Sequence, residues 1–81
     1  MTELQRQVLQ YLKDDPNQVA SGVADEFFDR GIHSGPKRRG LYRAQMYLGK
    51  LKAKGWVEAE WRKSVTLWNI TAKGRDALAE Q

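Results

Sequence analysis

The chain has 81 residues and no cysteine, which excludes disulfide frameworks, thiolate zinc sites and iron–sulfur clusters. Apolar residues make up 41% and charged residues 30%, which is a globular composition and not a disordered one. No apolar run approaches the roughly 18 residues of a membrane span, and the N-terminus has no signal-peptide pattern. We therefore expect one soluble domain covering residues 1–81, located in the cytoplasm.

The charge is divided unevenly along the chain. Residues 1–36 contain three basic and six acidic side chains, whereas residues 37–81 contain eleven basic and four acidic ones. The stretch from Lys37 to Lys54 has seven Lys or Arg residues and no Asp or Glu. A segment of one sign attracts a polyanion, whereas a merely solvated helix face normally mixes both signs. The basic segment therefore predicts a nucleic-acid partner.

The first predicted helix runs from Thr2 to Lys13. Thr2 followed three residues later by Gln5 fits a capping box. Apolar residues recur at helical spacing and form one stripe: Leu4, Val8, Leu9 and Leu12. The helix is expected to end before Pro16, because the residue that precedes a proline is disfavoured in the helical conformation.

A second helix is predicted from Gln18 to Arg30, with an apolar side formed by Val19, Val23, Ala24, Phe27 and Phe28. The segment from Gly31 to Gly35 then forms the turn of a helix-turn-helix.

The third predicted helix runs from about Pro36 to Lys54, with Gly40 as an alternative start. Its core face carries Leu41, Ala44, Leu48 and Leu51, and its opposite face carries Arg39, Tyr42, Arg43, Met46 and Lys50. Such a helix is suited to lie between a core and an anionic surface.

A β-hairpin follows, with strands from Trp56 to Trp61 and from Val65 to Ile70 and a basic tip at residues 62–64. An isolated hairpin is marginally stable in water, so the three tryptophans are expected to pack it onto the helices: Trp56, Trp61 and Trp68. Thr71 is a good N-cap for a last helix over residues 72–80. The predicted class is α+β, with a three-helix core, a two-stranded wing and a short C-terminal helix.

Two segments resemble bacterial winged-helix regulators of the MarR-like and PadR-like families. The junction from Leu48 to Glu58 resembles the end of their recognition helix and the first wing strand. The segment from Leu67 to Arg75 is similar to their closing strand and helix cap. The resemblance implies a winged helix-turn-helix that binds double-stranded DNA sequence-specifically, as a small, repressor-like transcriptional regulator. It implies that helix three enters the major groove and that wing residues 56–70 contact the backbone.

If helix three enters the major groove in this way, Arg39 and Arg43 are expected to bind guanine edges. Tyr42 is expected to contact a phosphate or a thymine methyl, and Met46 is expected to make an apolar base contact. The residues expected on phosphates are Lys37, Arg38, Lys50 and Lys52. Arg62 and Lys63 at the wing tip are expected to contact a phosphate or the minor groove. The competing interpretation of each cation is a solvated surface, and that of Met46 is a second interface or the edge of the core. A homodimer is expected on DNA, because a module of this size reads only a few base pairs.

The sequence predicts neither an enzyme nor a cofactor. His33 has no partner at a metal-binding or catalytic spacing, and Asp25, Glu26 and Asp29 are interpreted as a solvated face and not as a metal cluster. Two other functions stay open at this point: a winged-helix module that binds an acidic protein, and RNA binding.

Overall fold

The computed structural model describes residues 1–28 and 38–80, with side chains described for residues 1–28 and 40–80. The elements in chain order are α1 (Glu3–Asp14), α2 (Ala20–Val23), a π-helical turn (Ala24–Phe28), α3 (Arg38–Ala53), β1 (Val57–Arg62), β2 (Val65–Ile70) and α4 (Ala72–Ala79). This confirms the predicted α+β architecture, in which an antiparallel hairpin separates α3 from α4. The turn predicted at residues 31–35 lies outside the described residues.

Helix α1 begins with the predicted capping box. The Thr2 hydroxyl accepts a hydrogen bond from the Gln5 amide (3.1 Å), and the Thr2 amide donates to Oε1 of Gln5 (2.8 Å). Val8, Leu9 and Leu12 are almost completely buried. The reciprocal bonds satisfy two polar groups at the helix start, so α1 presents its apolar stripe to the core from its first turn.

Helix α2 is shorter than predicted, because it does not include Gln18. The backbone of Gln18 pairs with Trp68 of β2, and Val19 is extended, so the helix starts only at Ala20. From Ala24 the helix widens into the π-helical turn. A residue that contributes a sheet pairing cannot also have helical backbone angles.

Helix α3 places the predicted apolar residues toward the core. Ala44, Leu48 and Leu51 are buried, and Leu41 is partly buried against them. Gly40 lies inside the helix and is buried, so the alternative start at that residue is wrong. The helix ends in a Schellman motif, with Gly55 at φ 82° and the amide of Trp56 donating to the carbonyl of Leu51 (3.1 Å).

The wing is a hairpin with a two-residue turn. Lys63 and Ser64 have φ values of 50° and 68°, the two left-handed residues of a type I′ turn, and Arg62 pairs with Val65 as the last strand residues. The predicted three-residue tip is therefore one residue too long. We define the inner face, which points toward the helices, as Val57, Ala59, Trp61, Thr66, Trp68 and Ile70, and the outer face as Glu58, Glu60, Arg62, Val65, Leu67 and Asn69.

The prediction that all three tryptophans pack on the helices is wrong for Trp61. Trp56 and Trp68 are partly buried against the core, whereas Trp61 is 72% exposed. Along the inner face the exposure increases from Val57 through Ala59 to Trp61. Trp61 therefore lies on the inner face, as Val57 and Ala59 do, but it is too far along the hairpin to reach the core.

Helix α4 begins at Thr71, as predicted. The Thr71 hydroxyl accepts a hydrogen bond from the Gly74 amide (3.0 Å) and donates to the carbonyl of Gly55 (2.6 Å). Gly74 is buried, and a Cβ added there would lie 2.2 Å from the carbonyl oxygen of Trp56. The close approach at Gly74 joins α4 to the junction of α3 and β1.

No helix within residues 1–28 and 38–80 combines the length and the apolar character needed to cross a membrane.

Candidate nucleic-acid interface

The exposed face of α3 brings together four of the predicted contact residues. Tyr42 is 63% exposed and Met46 is 51% exposed, and Arg43 and Lys50 are also exposed. These residues repeat at three- and four-residue spacing, so they occupy one side of the helix. The buried residues Ala44, Leu48 and Leu51 hold the other side against the core, which directs this face outward.

The centre of the exposed face is apolar. At about 100° per residue, Tyr42, Met46, Gly49 and Ala53 form one line along the helix. Arg43 and Lys50 flank it on one side, and Gln45 and Lys52 flank it on the other. The space around Gly49 is open, since a Cβ added there would meet no atom within 4 Å. A flat, apolar centre with cationic margins can lie against an anionic surface with exposed methyl groups.

Three of the predicted contacts cannot be placed. Lys37 lies outside the described residues, and so do the side chains of Arg38 and Arg39. The structure therefore positions Arg43 on the face of α3 without describing the arginine expected one turn before it.

The wing tip carries one cation that no described acid neutralises and one that is paired. Lys63 is exposed at the turn. Nη2 of Arg62 donates to Oε1 of Glu60 (2.8 Å) on the outer face of the wing. The signal for this pair was present in the sequence, because residues two apart in a strand share a face. Of the two predicted tip contacts, Lys63 is therefore better placed to meet a phosphate.

The base of the wing is held by a set of contacts that the sequence analysis missed. Gln18 and Trp68 exchange backbone hydrogen bonds of 3.2 and 2.7 Å. The Asn17 amide donates to Oδ1 of Asn69 (2.8 Å), and Nδ2 of Asn69 donates to Oδ1 of Asn17 (2.9 Å). We call these four residues the wing clasp. They fix the wing to the segment between α1 and α2.

The clasp is linked to α1 through Tyr11. The Tyr11 hydroxyl donates to Oε1 of Gln18 (3.1 Å), and the rings of Tyr11 and Phe27 form a T-shaped contact with 5.5 Å between centroids. Burial, with the nearby charge of Asp15, raises the pKa of Tyr11 above its ordinary value. The hydroxyl therefore stays protonated and remains a donor to the residue that pairs with the wing.

An aromatic contact also supports α3. The ring of Tyr47 lies 5.7 Å from that of Phe28 in the π-helical turn. Burial raises the pKa of the Tyr47 hydroxyl. Among the residues that the structure describes, no group of three His, Asp or Glu side chains converges as a metal site would require.

Comparisons with known proteins identify the fold. No family model matches the chain, and no curated protein sequence matches it. Among solved structures, the chain is similar to a point mutant of ZitR from Lactococcus lactis, with a TM-score of 0.69 and 17% sequence identity. The match covers 99% of this chain and 49% of that chain, so the chain spans about half the length of ZitR. The chain has the winged-helix fold, as the sequence predicted.

Proposed function

We propose that this chain binds double-stranded DNA sequence-specifically and acts as a small, repressor-like transcriptional regulator. The observation that carries the proposal is the outward face of α3. It presents Tyr42, Arg43, Met46 and Lys50 on a helix whose other side is anchored in the core. In helix-turn-helix proteins the second helix of the motif enters the major groove. The fold shared with the regulator ZitR supports the same assignment.

In this proposal the exposed residues divide into those that read bases and those that hold the backbone. Arg43 forms two hydrogen bonds with a guanine edge, and Tyr42 and Met46 contact thymine methyl groups. Lys50 and Lys63 bind phosphates, which orient the protein without reading sequence. Arg39 is proposed as a second base-reading residue, and Lys37, Arg38, Lys52 and Arg62 as further phosphate contacts.

The proposed complex contains two copies of the chain. One α3 covers only a few base pairs, whereas two copies on related half-sites would read enough sequence to specify an operator. Selection of bound duplexes from a random pool tests this directly. A palindromic consensus is the expected result, and an asymmetric short site bound by one copy would exclude the homodimer.

The decisive experiment for DNA recognition compares Arg43→Ala with Lys13→Ala, a control that removes an exposed cation from α1. Arg43→Ala should lose about 1–3 kcal/mol of binding free energy on the selected site and much less on random duplex. Lys13→Ala should bind both duplexes like the parent. The parent's log affinity against log salt should have a slope of about −5 to −7, if five to eight phosphates are contacted.

Two results would contradict the proposal. If Arg43→Ala folds and binds both duplexes like the parent, α3 does not read the groove, and a protein partner becomes the better interpretation. If structured RNA competes with the selected duplex at equal concentration, the preferred nucleic acid is not double-stranded DNA.

A further inference from the structure

The exposed apolar side chains of the described residues are concentrated in two elements. Apart from Met1 at the N-terminus, the large exposed apolar residues are Tyr42 and Met46 on α3 and Trp61 and Val65 on the wing. Trp61, at 72%, is the most exposed of them. Trp61 and the exposed Val65 line the same groove, and apolar residues that are exposed together, unlike single ones, can mark an interaction site.

Trp61 lies beside an open groove between the wing and the helices. It is on the inner face, opposite Thr66, and the groove also takes lining residues from α2 and α3, including Ser21 and Gln45. The groove is lined by uncharged residues, and several carry hydrogen-bond donors: Ser21, Gln45, Ser64 and Thr66. Such a surface can contact a sugar ring and donate to a phosphate at the same time.

The charges around the groove favour an anionic occupant. On one side lies α3, where the exposed Lys52 is on the same margin as the groove-lining Gln45 and where no Asp or Glu occurs between residues 38 and 57. On the other side lies Lys63 at the turn. The acidic residues of the wing, Glu58 and Glu60, are on the outer face, away from the groove. An anionic strand beside the inner face therefore meets uncharged residues with Lys52 and Lys63 at the margins, whereas the outer face carries Glu58 and Glu60, the latter paired with Arg62.

We propose that the wing contacts DNA through its inner face, with the indole of Trp61 packed against the sugar–phosphate strand that passes between α3 and the wing. This proposal rests on the DNA binding proposed above. Ser64, Thr66 and Gln45 donate hydrogen bonds to phosphates of the same strand. The wing contact is thus largely apolar and uncharged, with Lys63 as its main cation.

The test compares Trp61→Ala with Leu67→Ala, which removes a large apolar side chain from the outer face of the same hairpin. Trp61→Ala should weaken binding to selected and random duplexes alike, by about tenfold, as the loss of an aromatic contact does. Its salt slope should equal that of the parent, because no charge is removed. Leu67→Ala should bind like the parent, and Trp61→Phe should recover most of the affinity.

Fluorescence gives a second readout. Acrylamide quenching of the parent should decrease when duplex is added, because the most exposed tryptophan becomes covered. The decrease should be absent in Trp61→Phe, in which the remaining tryptophans are the partly buried Trp56 and Trp68.

The two proposals fail in different ways. If the parent binds duplex DNA but Trp61→Ala matches Leu67→Ala, or if quenching is unchanged in the complex, the inner-face contact is refuted and DNA binding stands. If the parent binds no duplex, both proposals are refuted.

Discussion

A methyl group added at Gly74 and one added at Gly49 should change stability in opposite directions, although both glycines lie inside helices. A Cβ at Gly74 would lie 2.2 Å from the carbonyl oxygen of Trp56 and 2.8 Å from Cγ1 of Ile70. Since real Cβ atoms stay at least 3.0 Å from such neighbours, the start of α4 must move away by about 0.8 Å. That movement also disturbs the cap at Thr71, which bonds to both Gly55 and Gly74.

The magnitude follows from three effects. Overpacking costs about 1–3 kcal/mol, and weakening the cap costs up to about 1 kcal/mol. In the opposite direction, replacing glycine by alanine stabilises a helix by about 1 kcal/mol. We expect Gly74→Ala to lose about 2 kcal/mol of unfolding free energy, which lowers Tm by about 8–16 °C in a domain of this size.

Gly49→Ala is the matched control, because Gly49 is exposed and a Cβ there would meet nothing within 4 Å. The free energy of unfolding of Gly49→Ala should increase by about 1 kcal/mol from helix propensity alone, which raises Tm by about 4–8 °C. Circular dichroism during thermal and urea unfolding measures both variants against the parent. A Gly74→Ala variant as stable as the parent would refute the close contact with Trp56.

Two further substitutions test the core and the wing turn. Leu48 is completely buried, so Leu48→Ala should lower the free energy of unfolding, measured with urea, by about 2–5 kcal/mol. A decrease of less than about 1 kcal/mol would contradict the position of Leu48 in the core. Ser64 has a left-handed backbone at φ 68°, so Ser64→Gly should raise the free energy of unfolding by about 1 kcal/mol in the same assay. An unchanged or lower stability of Ser64→Gly would argue against the type I′ turn.

The features that were predictable from the sequence depend on neighbours close along the chain. The capping box of Thr2 and Gln5 needs only three residues, and the buried side of α3 follows from the spacing of Leu48 and Leu51. Thr71 is recognisable as a cap because it directly precedes the last helix. In each case the local signal and the tertiary structure agree.

The features that the sequence analysis missed depend on residues that are distant in the chain. Gln18 pairs with Trp68, which lies fifty residues later in the chain, and the residues around Gln18 show no strand pattern that would predict this pairing. Alternation along a strand assigns Trp61 to the inner face, but it does not say where the helices below that face end. The exposure of Trp61, and with it a candidate contact residue, could therefore be found only in the structure.

The position of the wing clasp has a consequence for how such a protein can diverge. Hydrogen bonds from Asn17 and Gln18 hold the base of the wing, and Val57 and Ile70 are buried there. Adding two residues to each strand beyond this base would keep the alternation of faces and extend the turn by about 7 Å. The length of the hairpin can thus vary in steps of two residues per strand while the helices stay unchanged. In the proposed complex, insertions in the hairpin alone would therefore change the span of duplex that one copy covers.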